Sequence, residues 1–518
     1  MSIAALDGLW NPTMMMATRL VILGAVLSVL LGCTHVPFDA PRDVTRALPA
    51  TGTLAEQTSR ALTGGAEDAV ALAPLADGND ALGARLQMIE AAERSIDIKT
   101  FLIKPDIAGA LIWLELYEAA ERGVRVRLLF DDVFTTATDT PLAALDAHPN
   151  VEFRLFNPLS RNATTVGNFL LKFNRVNRRM HNKAFVVDGS FAIIGGRNIA
   201  DEYYQVGIDH EFADFDLFVT GQPVSGISSA FDLYWNDRWA VPFSALAPED
   251  PPPLAGLLRR MRETADTQEA QIYRRAVQSS YLADLRAGRV PLFKCLARVV
   301  VDDPFKLKAP PGHGPFIVGE AMYQAMNRAN RDVLVMTPYF VPQDYGARFF
   351  EGLVERGVRV RIATNSLAST NHAYVHGAYS RYRDRLLSAG VEFLEARSDA
   401  ARITGAANAD LTMHTKLMII DDRYLFVGSP NLDPRSIRQN AEIGMLIDSP
   451  ELALSIRERV DEIARDFAFS LAKDDGGKTI WQYDGAAGKE VFASEPLATT
   501  WNSLVATVAG WLPIESQL

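Results

Sequence analysis

Three features are scarce in this chain of 518 residues, and each absence excludes a class of protein. The chain has only two cysteines, Cys33 and Cys295, which excludes a disulfide-rich scaffold. It has no apolar run long enough to cross a bilayer as a helix, because the run at residues 20–32 has 13 residues and a span needs about 20. It also has no basic surplus: the formal net charge is −11, which argues against a nucleic-acid partner.

The N-terminal segment has the pattern of an exported lipoprotein. The apolar run at 20–32 ends in the sequence LLGC at 30–33, which resembles the lipobox of bacterial lipoproteins. That resemblance implies cleavage before Cys33, acylation of this residue and a lipid-anchored position in the bacterial cell envelope. Thr34 follows where an Asp would favour the inner membrane, so we expect the outer membrane, facing the periplasm. The alternative is an uncleaved segment that anchors the chain.

A repeat organises the rest of the chain. Four segments recur in the same order, with offsets of 237, 234, 240 and 233 residues. They are RSIDI at 94–98 and RDVLV at 331–335, GVRVRLLFDD at 123–132 and GVRVRIATNS at 357–366, NVEFRLF at 150–156 and GVEFLEA at 390–396, and RRMHNKAFVVD at 178–188 and LTMHTKLMIID at 411–421. Four matches at nearly constant spacing indicate a duplicated unit of roughly 150 residues.

Within each unit, strand patterns alternate with helical patterns, as in IDIKTFLI, ALIWLELYEAAERG and VRVRLLF. This alternation predicts an α/β fold with two duplicated lobes, each with a largely parallel central part. The predicted divisions are a lipoprotein signal peptide (1–33), a tether (34–80), a first lobe (81–247), a linker with helices (248–312), a second lobe (313–470) and a C-terminal tail (471–518). The tail contains WNSLVATVAGWLP, which is expected to pack on the body or to lie on a membrane.

The first His-x-Lys segment predicts a β-hairpin. Residues 181–198, HNKAFVVDGSFAIIGGRN, have the pattern of strand, Asp-Gly turn and strand. Side chains two apart in a strand share a face, so His181 and Lys183 point the same way. The returning strand brings Gly196 and Asn198 beside the imidazole.

The second copy, HTKLMIIDDRYLFVGSPN, predicts the same arrangement in the second lobe. It places Lys416 on the face of His414 and returns Ser429 and Asn431 to the same strand end. Each lobe therefore offers one imidazole, one ammonium and one amide at the end of a strand.

The two sets together suit displacement at a phosphodiester. Lys offsets the charge of the phosphate oxygens, and Asn adds neutral donors. A neutral His can attack phosphorus while a second, protonated His gives a proton to the leaving oxygen. Each lobe has one such His, so the copies are expected to face each other across a pseudo-twofold axis and to share one central site. No metal or other cofactor is expected, because two Lys can do what Mg²⁺ does in kinases.

Carboxylates are expected to complete this site. Asp188 and Asp421 have the opposite strand parity, which indicates a structural role at the turns. A nucleophilic His also needs an acceptor for its other ring nitrogen. Alignment of the apolar strands that follow each motif matches Glu442 to Asp214 as the candidates. In the first lobe three rivals remain: Asp209, Glu211 and Asp216.

Other polar residues have weaker patterns. A basic run precedes the first motif and consists of Lys172, Arg175, Arg178 and Arg179. It is either a solvated face or a surface that attracts an anionic headgroup. His372 and His376 have helical spacing and are expected to line a cleft rather than to bind a metal. Cys295 is expected to be a buried small hydrophobe.

The paired His-x-Lys-x₄-Asp motifs with their trailing Gly-Gly-x-Asn and Gly-Ser-x-Asn resemble the phospholipase D superfamily. Longer stretches, among them FNRVNRRMHNKAFVVDG, GGRNIADEYY and GSPNLDPRS, look like the bacterial cardiolipin synthase C type. The resemblance implies two phospholipase D-like α-β-α sandwich lobes, a phosphohistidine intermediate and no metal. It also implies phosphatidyl transfer at a membrane surface between phosphatidylglycerol and phosphatidylethanolamine or a second phosphatidylglycerol. The superfamily favours His181 as nucleophile and His414 as acid, then base.

Two other functions fit the same residues. A phospholipase D-type hydrolase, or less readily a nuclease, shares every catalytic residue, since transfer differs only in excluding water and holding the acceptor. The lipid anchor and the acidic net charge favour lipid over nucleic acid. A non-catalytic lipid-binding envelope lipoprotein would not need both His-Lys pairs intact. The lipobox is a departure from the cardiolipin synthase C type. The sequence does not indicate whether a partner protein is needed.

Overall fold

The computed structural model describes residues 35–66, 68–133, 139–204, 210–246, 253–267, 276, 278–310, 312–512 and 515–517. The predicted signal peptide with Cys33, and the rival carboxylate Asp209, lie outside the described residues. Within these ranges, no helix is both long and apolar enough to cross a membrane.

Helices and strands alternate along most of the described chain. The helices are α1 (Leu54–Thr63), α2 (Gly78–Glu90), α3 (Ile107–Glu121), α4 (Asp139–Asp146), α5 (Thr165–Val176), α6 (Pro223–Trp235), α7 (Leu254–Ala265), α8 (Tyr281–Arg286), α9 (Phe305–Lys308), α10 (Ile317–Asn327), α11 (Gln343–Glu355), α12 (Ala373–Ser388), α13 (Ala400–Thr404), α14 (Pro434–Arg438), α15 (Pro450–Phe467) and α16 (Thr500–Trp511). Short 3₁₀ helices lie at Asp201–Tyr203, Phe243–Ala245 and Glu515–Gln517.

The strands fall into two halves. Those of the first half are β1 (Val70–Leu75), β2 (Ser95–Thr100), β3 (Arg125–Asp131), β4 (Val151–Phe156), β5 (Ala184–Val187), β6 (Phe191–Gly195), β7 (His210–Ala213), β8 (Asp216–Gly221), β9 (Ala240–Pro242) and β10 (Phe293–Lys294). Those of the second half are β11 (Leu296–Val301), β12 (Asp332–Met336), β13 (Arg359–Asn365), β14 (Glu392–Ala396), β15 (Asp410–Met413), β16 (Leu417–Ile420), β17 (Tyr424–Gly428), β18 (Ile443–Asp448), β19 (Ala468–Lys473), β20 (Thr479–Gly485) and β21 (Gly488–Phe492).

Two sheets of the described chain repeat one strand order. The first runs β10-β1-β8-β6-β5-β2-β3-β4-β9, and the second runs β11-β18-β17-β16-β12-β13-β14-β19-β20-β21. From β1 to β9 and from β11 to β19, neighbouring pairs also agree in direction. The predicted α/β class with two duplicated lobes is therefore confirmed.

The sheets are more antiparallel than the sequence indicates. Within the two large sheets of the described chain, only β2-β3-β4 and β12-β13-β14 run parallel. The His-x-Lys segments form the expected hairpins β5-β6 and β16-β17, and short turns of this kind join antiparallel neighbours. The prediction of a largely parallel central part is thus corrected to a mixed sheet.

The lobes also begin earlier than the sequence indicates. Residues 34–80, predicted as a tether, contain α1 and the sheet strand β1. Residues 248–312, predicted as a linker, contain β10 on the edge of the first sheet and β11 on the edge of the second. The equivalent strands β1 and β11 read VALAPL and LARVVV. They pair through the backbone, so no shared side-chain pattern reveals them.

Residues 471–518 were predicted as a C-terminal tail, but most of their described part is built into the second lobe. Strands β20 and β21 extend its sheet, and α16 packs on α12. Gly377 of α12 permits the close approach, because a Cβ at that position would lie 2.2 Å from the carbonyl oxygen of Ala506.

Each sheet has helices on its outer face and shares a core with the other sheet on its inner face. Alternate side chains divide between these cores: Phe185 and Met418 pack in the outer cores, whereas Val186 and Ile419 pack in the shared one. Helices α6 and α15 also contribute to the shared core. Burial of both faces explains why β5 and β16 read as the continuous apolar runs AFVV and LMII.

Asp188 and Asp421 anchor each hairpin to the strand beside it. Both have a left-handed backbone, with φ of 51° and 54°, which Asp tolerates better than most residues. The Asp188 carboxylate accepts three backbone N–H bonds of 2.8–3.0 Å, from Glu93, Arg94 and Ser95. Asp421 accepts the equivalent set from Asn330, Arg331 and Asp332. Hydrogen bonds to a charged group contribute about 1.5–3 kcal/mol each, so these aspartates hold the register of the two hairpins.

Candidate active site

The two His-x-Lys strand ends meet where the lobes exchange backbone hydrogen bonds. The backbone N–H of His181 donates to the carbonyl of Ala441 at 2.9 Å. The backbone N–H of His414 donates to the carbonyl of Ala213 at 2.7 Å. Strands β7 and β15 form a small parallel sheet across the same junction. Each His is thereby fixed beside the segment that follows the other lobe's hairpin.

The imidazoles and carboxylates pair across the lobes. His181 Nδ1 lies 3.0 and 2.9 Å from the two carboxylate oxygens of Glu442, and His414 Nδ1 lies 2.6 Å from Asp214 Oδ2. A carboxylate only accepts, so each Nδ1 carries the proton and each Nε2 keeps its lone pair. The sequence placed both carboxylates in the site but did not indicate that each serves the other lobe's His.

The rival carboxylates have other positions. Asp216 pairs with Arg85 and Arg197, at 2.9 and 3.4 Å, inside the first lobe. Glu211 lies in β7. The structure thus selects Asp214, by contact, as the partner of His414.

The two lysines lie on their predicted faces, next to the imidazoles. Lys183 Nζ donates to the carbonyl of His181 at 2.7 Å. Lys416 Nζ donates to the carbonyl of His414 and lies 2.8 Å from its Nδ1. Both ammonium groups are buried, and this burial lowers the pKa of Lys183 to about 7 and that of Lys416 to about 8.

The asparagines also lie at the predicted strand ends. Asn198 donates from Nδ2 to the hydroxyl of Tyr203 at 2.8 Å. Asn431 is buried, and its Oδ1 accepts no hydrogen bond within the described chain. Such an oxygen is free to accept a bond from a bound alcohol or water.

Gly196 and Ser429 occupy equivalent positions in the two lobes. Gly196 leaves room for the carboxylate of Asp214, whereas Ser429 donates a hydrogen bond to that of Glu442. A Cβ on Gly196 would lie 2.2 Å from Asp214 Oδ1, so no side chain fits there. Ser429 instead donates its hydroxyl to Glu442 Oε2 at 2.5 Å. Asp214 in the first lobe and Glu442 in the second therefore have the same role, as partners of a His Nδ1, although their side chains differ in length.

This geometry agrees with comparisons to known proteins. Residues 86–212 and 322–464 match the family model "Cardiolipin synthase, PLD-like domain". Cardiolipin synthase C of Escherichia coli (strain K12) is 34% identical over 457 residues, which cover 86% of this chain and 95% of that protein. The chain belongs to the cardiolipin synthase family. It is a phospholipase D-like phosphatidyltransferase, as the resemblance predicted.

More distant relatives agree with this assignment. The cardiolipin synthase of Oceanobacillus iheyensis is 25% identical over 401 residues, which cover 77% of this chain and 68% of that protein. The fold is similar to the crystal structure of phosphatidylserine synthase of Haemophilus influenzae Rd KW20, with a TM-score of 0.55 and 16% identity. That match covers 87% of this chain and 96% of the other and supports the fold alone.

The electrostatics of this cardiolipin synthase family site keep both imidazoles neutral. Burial lowers the pKa of His181, and burial together with Lys416 lowers that of His414 to about 3. Burial raises the pKa of Asp214, but Lys416 and His414 outweigh it and bring the pKa to about 2. The site thus combines two neutral imidazoles and two carboxylates with two lysines that are cationic below their lowered pKa values, and these lysines can bind an anionic phosphodiester.

Two aromatic side chains contact the imidazoles and one further carboxylate holds the backbone of Glu442, and the sequence analysis identified none of these three residues. The ring centroids of Phe101 and His181 lie 4.9 Å apart in an edge-on contact. Those of Phe212 and His414 lie 5.1 Å apart in a stacked contact. Asp302 accepts the backbone N–H of Glu442 at 3.1 Å. The only available signal was position: Phe101 directly follows β2, and Phe212 precedes Asp214 by two residues.

Two further residues fix the chain just before each His. Asp131 accepts the backbone N–H of Met180 at 3.0 Å, and Asn365 accepts that of Met413 at 2.9 Å. They end the equivalent strands β3 and β13. The repeats GVRVRLLFDD and GVRVRIATNS carried this signal, because both aligned positions are hydrogen-bonding residues after an apolar strand.

Other predicted polar residues lie outside this network. Three residues of the basic run bind internal groups: Arg175 binds Asn157, Arg178 binds backbone carbonyls of Leu307 and Ala309, and Arg179 binds Asp131. His376 pairs with Glu495, while His372 contacts Tyr339 and Tyr374. Cys295 packs beside the shared core, and burial raises the pKa of its thiol to about 12. Among the described residues, no group of three or more His, Cys, Asp or Glu could hold a metal ion.

The low lysine pKa values predict an alkaline limit to catalysis. A Lys is charged below its pKa, so kcat/KM is expected to fall as pH rises through about 7 to 8 and the ammonium groups of Lys183 and Lys416 are lost. Lys183→Arg keeps its charge at all these pH values and should move the alkaline limb upward even if the maximum falls. The measurement is kcat/KM against pH in mixed micelles.

Exposed Lys489 provides the matched control for this experiment. Lys489→Arg should leave the profile unchanged. An alkaline limb that stays in place in Lys183→Arg would contradict the assignment of the limit to Lys183.

Proposed function

We propose that this chain makes cardiolipin by transferring a phosphatidyl group from one phospholipid to the alcohol of another, through a phosphohistidine on His181. The observation that carries the proposal is the crossed pairing. Glu442 orients His181 and Asp214 orients His414 through Nδ1, which leaves each Nε2 with its lone pair. Lys416 Nζ lies 3.3 Å from Nε2 of His414. These contacts support one site with two catalytic imidazoles. A site with one imidazole could not supply nucleophile and acid together.

In the first step, His181 Nε2 attacks phosphorus and the bond to the leaving alcohol breaks. The substrate anion favours the protonated form of His414, which gives its proton from Nε2 to the leaving oxygen and regains one from the acceptor hydroxyl in the second step. Lys183 and Lys416 neutralise the non-bridging oxygens as charge shifts onto them. The products are phosphatidyl-His181 and the free alcohol.

In the second step, His414 accepts the proton of the incoming hydroxyl, whose oxygen attacks phosphorus while the bond to His181 breaks. With phosphatidylglycerol as acceptor, the product is cardiolipin. The released alcohol is glycerol when phosphatidylglycerol is the donor and ethanolamine when phosphatidylethanolamine is the donor. Both imidazoles are buried, which limits access of water and supports transfer over hydrolysis.

Product analysis tests the proposal. We would incubate the purified chain with isotope-labelled phosphatidylglycerol in mixed micelles, with and without phosphatidylethanolamine, and identify products by mass spectrometry. We expect labelled cardiolipin together with glycerol or ethanolamine, and the released alcohol identifies the donor. Phosphatidic acid as the sole product would make water the acceptor and the chain a hydrolase.

We also propose a lipid-anchored position in the bacterial envelope, at the outer membrane and facing the periplasm. The support is the LLGC sequence that ends at Cys33. Metabolic labelling with a fatty acid should mark the wild-type chain and not Cys33→Ser. Equal labelling of both would refute the lipidation of Cys33.

A further inference from the structure

An uncovered apolar stripe runs along the C-terminal helix α16. Trp501, Leu504, Val508 and Trp511 are 70%, 55%, 45% and 80% exposed. Their spacing of three, four and three residues places them on one side of the helix. The opposite side carries the buried Ala506 and packs against α12.

A second stripe lies on α5, in the first lobe. Val166, Leu170 and Phe173 are 63%, 70% and 47% exposed. Val166 and Leu170 lie one turn apart on the same face of the helix, and Phe173 follows the kink at Lys172. Single exposed apolar residues are ordinary on protein surfaces, whereas two ordered stripes of this kind mark an interaction surface.

The helices that carry the two stripes are joined by hydrogen bonds next to the catalytic segments. Asn177, which ends α5, donates to the side chain of Gln517, just after α16, at 2.9 Å. Arg435 of α14 donates to Asn177 Oδ1 at 3.0 Å and to the carbonyl of Gln517 at 2.6 Å. Asn177 precedes His181 by four residues, and Arg435 follows Asn431 by four, so the junction adjoins both catalytic segments.

The charge of this surface indicates its partner. Neither α5 nor α16 contains an Asp or Glu, although the chain has a net charge of −11. Helix α5 exposes Lys172, and the stripe on α16 begins and ends with a Trp. Apolar stripes with Trp and without acids suit the interface of an anionic bilayer, where Trp rings are favoured at headgroup depth.

We propose that α5 and α16 form one docking surface for an anionic phospholipid bilayer and place the site mouth at the headgroups. This inference rests on the proposed function for its meaning, because docking would bring phosphodiesters to His181 and His414 without removing whole lipids from the bilayer. The membrane contact is made by the folded body and is distinct from any anchor at Cys33.

Tryptophan fluorescence tests docking directly. In the full-length chain with Trp10→Phe, the described tryptophans other than Trp501 and Trp511 are buried. Vesicles of phosphatidylglycerol and phosphatidylethanolamine with brominated acyl chains should quench emission. Further replacement of Trp501 and Trp511 by Phe should remove most of that quenching. Quenching that is equal with and without these two residues would overturn the proposal, and an N-terminal anchor alone cannot produce the expected difference.

Activity provides the second measurement. Leu504→Asp/Val508→Asp should lower kcat/KM on vesicles by about tenfold or more while activity on short-chain phospholipid micelles stays within about twofold. Leu296→Asp, at a 69% exposed position on the sheet-edge strand β11, is the matched control and should change neither rate. Equal rates of the double variant and wild type on vesicles would refute docking through α16.

The readouts separate this inference from the proposed function. Lipid-dependent quenching without any transfer product would leave docking intact and reject the proposed transferase. Transfer on vesicles without quenching would support the proposed transferase and reject docking through α16. Self-association that requires Trp501 and Trp511, without quenching by lipid, would show that a second copy covers the surface and would overturn the bilayer as its occupant.

Discussion

His181→Asn is expected to abolish turnover, with kcat falling on the order of 10⁴-fold or more, because the variant lacks the atom that bonds to phosphorus. Loss of rate alone would not separate nucleophile from acid, since His414→Asn should be nearly as slow. A donor whose leaving group needs no proton makes the distinction. Phosphatidyl-p-nitrophenol is such a donor, because its phenolate leaves unassisted.

With this donor, His414→Asn should form the phosphatidyl-enzyme and retain it, because no base activates the acceptor alcohol. His181→Asn should form none. The adduct is measured by intact-protein mass spectrometry after rapid denaturation without acid, since phosphohistidine is acid-labile. His313→Asn, at an exposed position, is the matched control and should behave as wild type. An adduct that accumulates in His181→Asn and not in His414→Asn would exchange the two roles.

Glu442→Gln should impair a reaction step carried out in the other lobe. Glu442 lies in the second lobe but holds Nδ1 of His181 in the first, so its loss should slow formation of the phosphatidyl-enzyme. Asp214→Asn should instead slow its breakdown, because Asp214 holds His414. Loss of a carboxylate that orients a catalytic His lowers kcat by about 10²–10⁴-fold.

The phosphatidyl-p-nitrophenol donor resolves these two steps. In Glu442→Gln, the burst of p-nitrophenol should be slow. In Asp214→Asn, the burst should be near the wild-type rate and should be followed by slow turnover. Combining His181→Asn with Glu442→Gln should cost little beyond His181→Asn alone, since both act on one imidazole.

Glu395→Gln is the matched control for removal of a buried charge. Glu395 is fully buried in the second lobe, where it binds Tyr379, Arg383 and Trp481 away from the imidazoles. This substitution should leave both steps unchanged per folded molecule. A slow burst in Asp214→Asn with a normal burst in Glu442→Gln would mean that each carboxylate serves its own lobe's His, contrary to the crossed contacts.

Much of the local structure followed from sequence. Strand alternation placed His181 with Lys183 and His414 with Lys416 on common faces, and the Asp turns returned Asn198 and Asn431 to the same strand ends. These inferences held because a tight hairpin depends on residues that are close in sequence. The recurrence of four segments likewise indicated two lobes before any contact between them was known.

The unit boundaries did not follow from sequence. Strands β1 and β11 begin equivalent sheets, yet VALAPL and LARVVV share no motif, and their pairing depends on backbone groups that every sequence carries. The antiparallel share of the sheets was missed for a related reason. The C-terminal segment was expected to pack on the body or to lie on a membrane, but α12 was not identified as its partner. Both depend on contacts between segments far apart in the chain.

By itself, the sequence determined the duplication, the α/β class and the pairing of His with Lys on each strand, because each is set by local periodicity or direct repetition. Only the tertiary structure decided that Glu442 orients His181 and Asp214 orients His414. Those partners are separated by 261 and 200 residues. A carboxylate can serve an imidazole of either lobe equally well, so the choice is made only when the two sheets pack and bring the end of each hairpin against the opposite lobe.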